Sequence, residues 1–101
     1  MPKKQVVTSK FRAQLRGEAQ TLSPYVMVGH EGITDGVVSA LVEALECHEL
    51  VKVRFQDFKD MTRDLANELA EKSQSLLVAT TGFTAVFYKE NPEIRKYARW
   101  N

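Results

Sequence analysis

The sequence has one cysteine, Cys47, and no long hydrophobic run among its 101 residues. A single cysteine excludes an intramolecular disulfide and a cysteine-only metal cage, and it fits a reducing compartment. No apolar run approaches the roughly 18 residues that a membrane span needs. The basic residues in Met1–Gln5 are not followed by the apolar stretch of a secretory signal. We therefore expect a cytoplasmic protein with no membrane partner and no bound metal.

Residues that could carry catalysis are few. His30 and His48 are the two histidines, and a predicted helix separates them. Cys47 and His48 are neighbours, but adjacent side chains on a helix point about 100° apart and rarely share a metal. We interpret Cys47 as a buried packing residue. The sequence has no recognisable nucleophile turn and no phosphate-binding loop ending in lysine. We expect no enzymatic activity, no cofactor and no small-molecule substrate.

The net charge is only +1, so the total charge gives no evidence for a nucleic-acid partner. Its distribution is uneven. Residues 1–30 carry five basic side chains and one acidic one, whereas residues 31–60 carry three basic and seven acidic ones. Such segregation can produce a basic face on a nearly neutral protein. It can equally reflect charges that only keep the protein soluble, and both interpretations stay open on charge alone.

The length and the 44% hydrophobic content suit one domain with one core. Apolar spacing predicts helices at 9–20, from 34 or 35 to 47, and at 60–72, the last with Asp60 as its cap and Met61, Leu65 and Leu69 on its apolar stripe. Strands are predicted at 25–28, 51–56, 75–80 and 83–89. The continuous apolar run at 25–28 predicts a strand covered on both faces. The alternation at 51–56 places Val51, Val53 and Phe55 inward and Lys52 and Arg54 outward.

These elements predict a single α/β domain of order α-β-α-β-α-β-β with a four-stranded mixed sheet, whose strand order stays open. We expect a basic N-terminal extension at 1–8, the folded domain at 9–90, and a loosely held tail at 91–101.

A short glycine-containing segment, Gly29-His30-Glu31-Gly32, joins the first predicted strand to the second helix. Two glycines three residues apart permit positive φ and let a ligand approach the main chain closely. The N-terminus of the following helix favours a phosphate, although Glu31 opposes one at its own position. An ordinary strand-to-helix turn explains the same pattern, so the segment alone does not decide between the two.

Five stretches, in their order and spacing, resemble the CRM (chloroplast RNA splicing and ribosome maturation) domain family, and in particular its stand-alone bacterial YhbY-type members. The matching stretches are Leu15–Ala19, Leu22–Pro24, Val28–Val37, His48–Val53 and Gly82–Lys89.

The resemblance implies a fold similar to the C-terminal domain of translation initiation factor three. It also implies RNA binding by a monomer that associates with ribosomal RNA in precursors of the large ribosomal subunit. The RNA-binding residues it implies are the loop Gly29, His30, Glu31 and Gly32, and a basic surface of Lys10, Arg12, Arg16, Lys52 and Arg54. Glu31 departs from the basic or neutral residues that members often have there.

An alternative is a protein-interaction module with little RNA affinity. It would use the acidic second helix, or Tyr97 and Trp100 in the tail.

Overall fold

The computed structural model describes residues 9–56 and 61–91. Its elements in chain order are α1 (Ser9–Ala19), β1 (Val26–Val28), α2 (Asp35–His48), β2 (Leu50–Phe55), α3 (Thr62–Ser73), β3 (Leu76–Thr81) and β4 (Thr84–Tyr88). The α/β class and the order α-β-α-β-α-β-β are as expected. Asp60, Tyr97 and Trp100 lie outside the described residues, as do the extension at 1–8 and the tail beyond Asn91.

The four strands form one mixed sheet in the order β1-β2-β4-β3. β1 and β2 are parallel because α2 carries the chain back between them, and the register pairs Met27 with Arg54. β4 runs antiparallel to both β2 and β3. The sheet therefore has β2 and β4 at its centre and two edges, formed by β1 and β3.

The helices lie on opposite faces of the sheet. α2 and α3 cover one face, where Val51, Val53 and Phe55 are buried as predicted. α1 covers part of the other face, and the ring of Phe11 meets the ring of Tyr88 edge-on at 5.4 Å. The cluster under α1 consists of Phe11, Leu15, Ala19, Leu50, Val78, Val86 and Tyr88. The domain thus has two apolar clusters separated by the sheet.

β1 is not covered on both faces, contrary to the expectation from its apolar run. Val26 and Val28 are buried under α2, but Met27 on the α1 side is 48% exposed. The reason is the position of β1 at the sheet edge, while α1 packs against β2 and β3. The part of the α1-side face near β1 is therefore open.

Two helical details also differ from the sequence expectation. Met61 precedes α3 and is exposed, because the buried side of α3 is formed by Thr62, Ala66, Leu69, Ala70 and Ser73. Cys47 is exposed instead of buried. It lies roughly 100° around α2 from the buried side that Leu41, Ala44 and Leu45 form.

A buried carboxylate fixes the chain after β4. Glu49 is fully buried between α2 and β2, at a φ of 63°. Its side chain accepts a hydrogen bond from the Asn91 amide at 2.6 Å, and the Asn91 side chain donates to the Glu46 carbonyl at 2.8 Å. Asn91, at the start of the predicted loose tail, is therefore held against the end of α2.

Candidate nucleic-acid interface

The segment Gly29–Gly32 forms a tight turn directly after β1. The Gly32 amide donates to the Gly29 carbonyl at 3.0 Å, and Gly32 has a φ of 81°. His30 and Glu31 are exposed at the tip of the turn. The Gln56 amide donates to the Val28 carbonyl at 2.9 Å, which holds the base of the turn against the end of β2. The glycine at 32 is thus needed for the turn itself.

The N-terminus of α2 is less suited to a phosphate than the sequence suggested. Thr34 caps the helix, and its hydroxyl accepts from the Val37 amide at 3.2 Å. Asp35 adds a carboxylate to the first turn. A negative side chain there already interacts favourably with the helix dipole and repels a second anion. Any phosphate contact in this region therefore depends on the main chain of the turn more than on the helix end.

Three basic residues lie on the α1 side of the sheet: Arg16 on α1, and Lys52 and Arg54 on β2. Arg16 and Lys52 line one groove. Lys52 and Arg54 are two residues apart on β2, on the side opposite the buried Val53, and so about 7 Å apart along the strand. Arg54 is in register with Met27 on β1 and with Thr84 on β4. We call Arg16, Met27, Lys52, Arg54 and Thr84 the basic sheet face.

A groove runs along this face between the second half of α1 and the sheet. Its volume is about 200 Å³. Its polar lining consists of Arg16, Gln20, Lys52, Thr81 and Thr84. Cations and hydroxyl groups of this kind are the donors that contact phosphate oxygens in protein complexes with nucleic acids. The turn Gly29–Gly32 begins two residues after Met27, which is in register with Arg54. The turn therefore adjoins the end of the basic sheet face where Arg54 lies.

The other predicted basic residues have different surroundings. Arg12 does not point to solvent: its guanidinium donates to the Leu77 and Val78 carbonyls, both at 3.0 Å. Lys10 is exposed on the first turn of α1, about 120° around the helix from Arg16.

Lys52 is half-buried and not fully outward, because its amino group lies 3.5 and 3.4 Å from the Ala19 and Leu22 carbonyls at the end of α1. The structure therefore groups Arg16, Lys52 and Arg54 and separates Lys10 and Arg12 from them.

Sequence reasoning missed two exposed groups next to these cations. Met27 was assigned to the core, and Tyr25, which is 66% exposed, was assigned to a covered strand. The Tyr25 ring lies 5.2 Å from the His48 ring at an interplanar angle of 69°. An apolar run gives no signal that distinguishes a covered strand from an edge strand with exposed large side chains.

Two further features of the described ranges bear on function. No group of three or more histidine, cysteine or acidic side chains in 9–56 and 61–91 could hold a metal ion. No helix in those ranges has both the length and the apolar character that a membrane crossing requires.

Comparisons with known proteins agree on one family. The chain matches the model of the CRS1 / YhbY (CRM) domain over residues 7–89. It is 39% identical over 89 residues to the "Probable RNA-binding protein YqeI" of Bacillus subtilis, covering 87% of this chain and 93% of that protein. It is 35% identical over 91 residues to a Pseudomonas aeruginosa protein with the same description, covering 89% of this chain and 88% of the relative.

The fold has a close counterpart among solved structures. The solution structure of a hypothetical protein from Staphylococcus aureus superposes with a TM-score of 0.81 at 31% sequence identity. The match covers 92% of this chain and 98% of the other. The three helices and the mixed sheet are therefore shared across the whole domain.

Proposed function

Because the chain belongs to the CRS1 / YhbY (CRM) domain family, we propose that it is a non-enzymatic RNA-binding protein. Relatives that are 39% and 35% identical over the aligned residues carry the name "Probable RNA-binding protein". The observation that carries the proposal to this chain is that Arg16, Lys52 and Arg54 lie on the α1 side of the sheet, where Arg16 and Lys52 line one groove. The turn Gly29–Gly32 extends this face and offers its main chain to the RNA.

The charge arrangement explains how a protein of net charge +1 can bind a polyanion. Phosphate contacts depend on the local electrostatic potential and not on the net charge. The cations of the basic sheet face lie on the side of the sheet opposite α2. Three of the seven acidic side chains of residues 31–60, Asp35, Glu43 and Glu46, belong to α2. Binding by a few cations is modest in strength and strongly dependent on salt.

The RNA is proposed to be ribosomal RNA in precursors of the large ribosomal subunit, and the protein to act there as an assembly factor in the cytoplasm. This finer assignment rests on the resemblance to the stand-alone bacterial members of the family. Sedimentation of cell extracts through a gradient, with and without RNase, tests it. We expect the protein to migrate with large-subunit precursors and to leave them after RNase treatment. Migration that resists RNase indicates the protein-interaction alternative.

Titration of the purified protein with large-subunit ribosomal RNA tests the surface itself. The double variant Arg16→Ala/Arg54→Ala is expected to weaken binding and to lower the slope of log affinity against log salt by about two, roughly one for each lost phosphate contact. Arg63→Ala/Lys72→Ala is the matched control, because both side chains are exposed on α3, which packs on the opposite face of the sheet. Equal effects of the two changes would contradict the proposed surface.

A further inference from the structure

A small cavity lies at one end of the basic sheet face, on the far side from the turn Gly29–Gly32. Its volume is about 150 Å³, and it lies beneath the connection from α1 to β1. Its walls include Leu22, Ser23, Tyr25, His48, Leu50 and Lys52. We call it the Tyr25 pocket. Its volume corresponds to about five water molecules, which is the scale of one heteroaromatic ring system.

The Tyr25 main chain is held beside β2, while its ring contacts His48 and stays largely exposed. The Tyr25 amide donates to the Lys52 carbonyl at 2.8 Å, which fixes the residue beside β2. The ring meets the His48 ring edge-on at 5.2 Å, yet two thirds of its surface stays in solvent. Core packing does not account for an aromatic side chain that is so exposed. A fixed, exposed aromatic ring is the usual platform on which an unpaired base stacks.

Lys52 connects this pocket to the groove on the basic sheet face. Lys52 lines both cavities. The two cavities therefore adjoin, so that one nucleotide could place its phosphate in the groove and its base in the pocket. The Ser23 hydroxyl and the His48 ring nitrogens are groups that can donate to or accept from a base edge.

We propose that the Tyr25 pocket binds one unpaired nucleobase of an RNA whose backbone lies in the adjoining groove. The proposal rests on the proposed function, RNA binding, and adds that the protein prefers single-stranded segments to duplex. Duplex RNA presents no free base face, whereas loops and bulges expose bases that can stack on aromatic side chains. The pocket is small and has a cation on one wall, which suits one base of a polyanion better than an extended protein surface.

The main experiment uses a short single-stranded RNA with one 2-aminopurine, compared with the same RNA annealed to its complement. Stacking on Tyr25 is expected to change the 2-aminopurine fluorescence when the single strand binds. Tyr25→Ala and Tyr25→Leu are expected to abolish that change and to weaken single-strand binding roughly 5- to 150-fold. Tyr25→Phe, which keeps the ring, is expected to retain both. Met61→Ala is the control, since it removes an exposed apolar side chain beside α3.

A second measurement needs no variant and so does not depend on how the variants fold. In NMR titrations of the unaltered protein, adenosine 5′-monophosphate is expected to shift the ring signals of Tyr25 and His48. Ribose 5-phosphate, which lacks the base, is expected to leave them in place. Equal shifts with both compounds, or no shift with either, would overturn the base pocket.

The outcomes separate this inference from the proposed function. Unchanged single-strand binding by folded Tyr25→Ala overturns the pocket while the salt-dependent binding of the parent still supports RNA binding. If Tyr25→Ala loses the same affinity for single-stranded and for duplex RNA, the base pocket is also wrong, because the ring would then contact the RNA backbone and not a base. If the parent binds a protein partner in the presence of RNase and Tyr25→Ala does not, the pocket binds a protein and the proposed base pocket is wrong. If the parent protein binds no RNA at low salt, the proposed function itself is wrong, whatever the Tyr25 variants show.

Discussion

Arg12 in the first helix donates hydrogen bonds through its guanidinium to the edge strand β3, reaching the Val78 carbonyl at 3.0 Å across 66 residues of sequence. The same nitrogen lies 3.0 Å from the Leu77 carbonyl. Val78 lies at the point where the register between β3 and β4 shifts. The arginine thus satisfies carbonyls at an irregular sheet edge and covers a strand edge that another chain could otherwise pair with.

We predict that Arg12 and Arg16, one helical turn apart, have separable roles. Arg12→Ala is expected to lower the free energy of unfolding by about 1–3 kcal/mol, because it leaves two part-buried carbonyls without their charged donor. Arg16→Ala is expected to leave stability within about 0.5 kcal/mol, as exposed substitutions usually do, and to weaken RNA binding. Urea unfolding and RNA titration of both variants check this. A stability loss confined to Arg16→Ala would contradict the assignment.

The two glycines of the turn give a second matched pair. A Cβ at Gly29 would meet Gln56 Oε1 at 3.9 Å, an ordinary contact, whereas Gly32 has open space around it but a φ of 81°. Gly29→Ala is therefore expected to keep the parent's stability. Gly32→Ala is expected to lose about 1–2 kcal/mol from the left-handed conformation alone. Thermal unfolding checks both, with a shift of about 4–8 °C for each kcal/mol in a domain of this size.

The same pair tests whether RNA approaches the main chain of the turn. If it does, Gly29→Ala weakens RNA binding in a protein that is as stable as the parent, because the added methyl group stands between the backbone and the phosphate. Gly17→Ala is the control, since Gly17 is exposed in α1 and its Cβ would meet nothing within 4 Å. Parent-like RNA affinity in Gly29→Ala would identify the segment as an ordinary turn.

The elements of the fold could be predicted because local patterns determine them. The alternation in β2 depends only on strand geometry, and Val51, Val53 and Phe55 are buried as expected. The strand order could not be predicted from the sequence. It depends on tertiary packing, including which sheet edges α1 leaves open, and the periodicity of apolar residues does not carry that information.

The candidate site was less predictable, because the surroundings of its side chains depend on tertiary packing. The sequence predicted Arg12 as part of a basic RNA-binding surface but could not show that its guanidinium donates to β3, because that contact depends on tertiary packing. Lys52 was expected to point outward from β2 but is half-buried, because its contact with the end of α1 depends on where that helix lies. Tyr25 and Met27 were assigned to the interior because an apolar run reads the same at an edge and at the centre of a sheet.

Cys47 gives a third prediction, which follows from its exposure. The thiol is expected to react with a maleimide in the folded protein without prior unfolding, because it is exposed. Cys47→Ala is expected to leave stability within about 0.5 kcal/mol and RNA binding unchanged. Mass spectrometry of the labelled native protein measures the first expectation. A thiol that reacts only after unfolding would contradict the exposed position.

Glu31 supplies the last prediction, since it is the acidic side chain at the tip of the turn. Glu31→Lys is expected to tighten RNA binding a few-fold, because it replaces a repelling carboxylate with a cation at the proposed contact. An exposed charge contributes about 1 kcal/mol or less, which sets that scale. The gain is expected to shrink as salt rises, because screening weakens exposed charge interactions.

Glu71→Lys is the control for Glu31→Lys. It changes the net charge by the same amount at an exposed position on α3, on the opposite side of the sheet. A gain in affinity from Glu31→Lys alone locates the RNA at the turn, since the two variants have equal total charge. Equal gains from both variants would mean that RNA affinity follows the net charge of the protein and that the turn has no special part in binding.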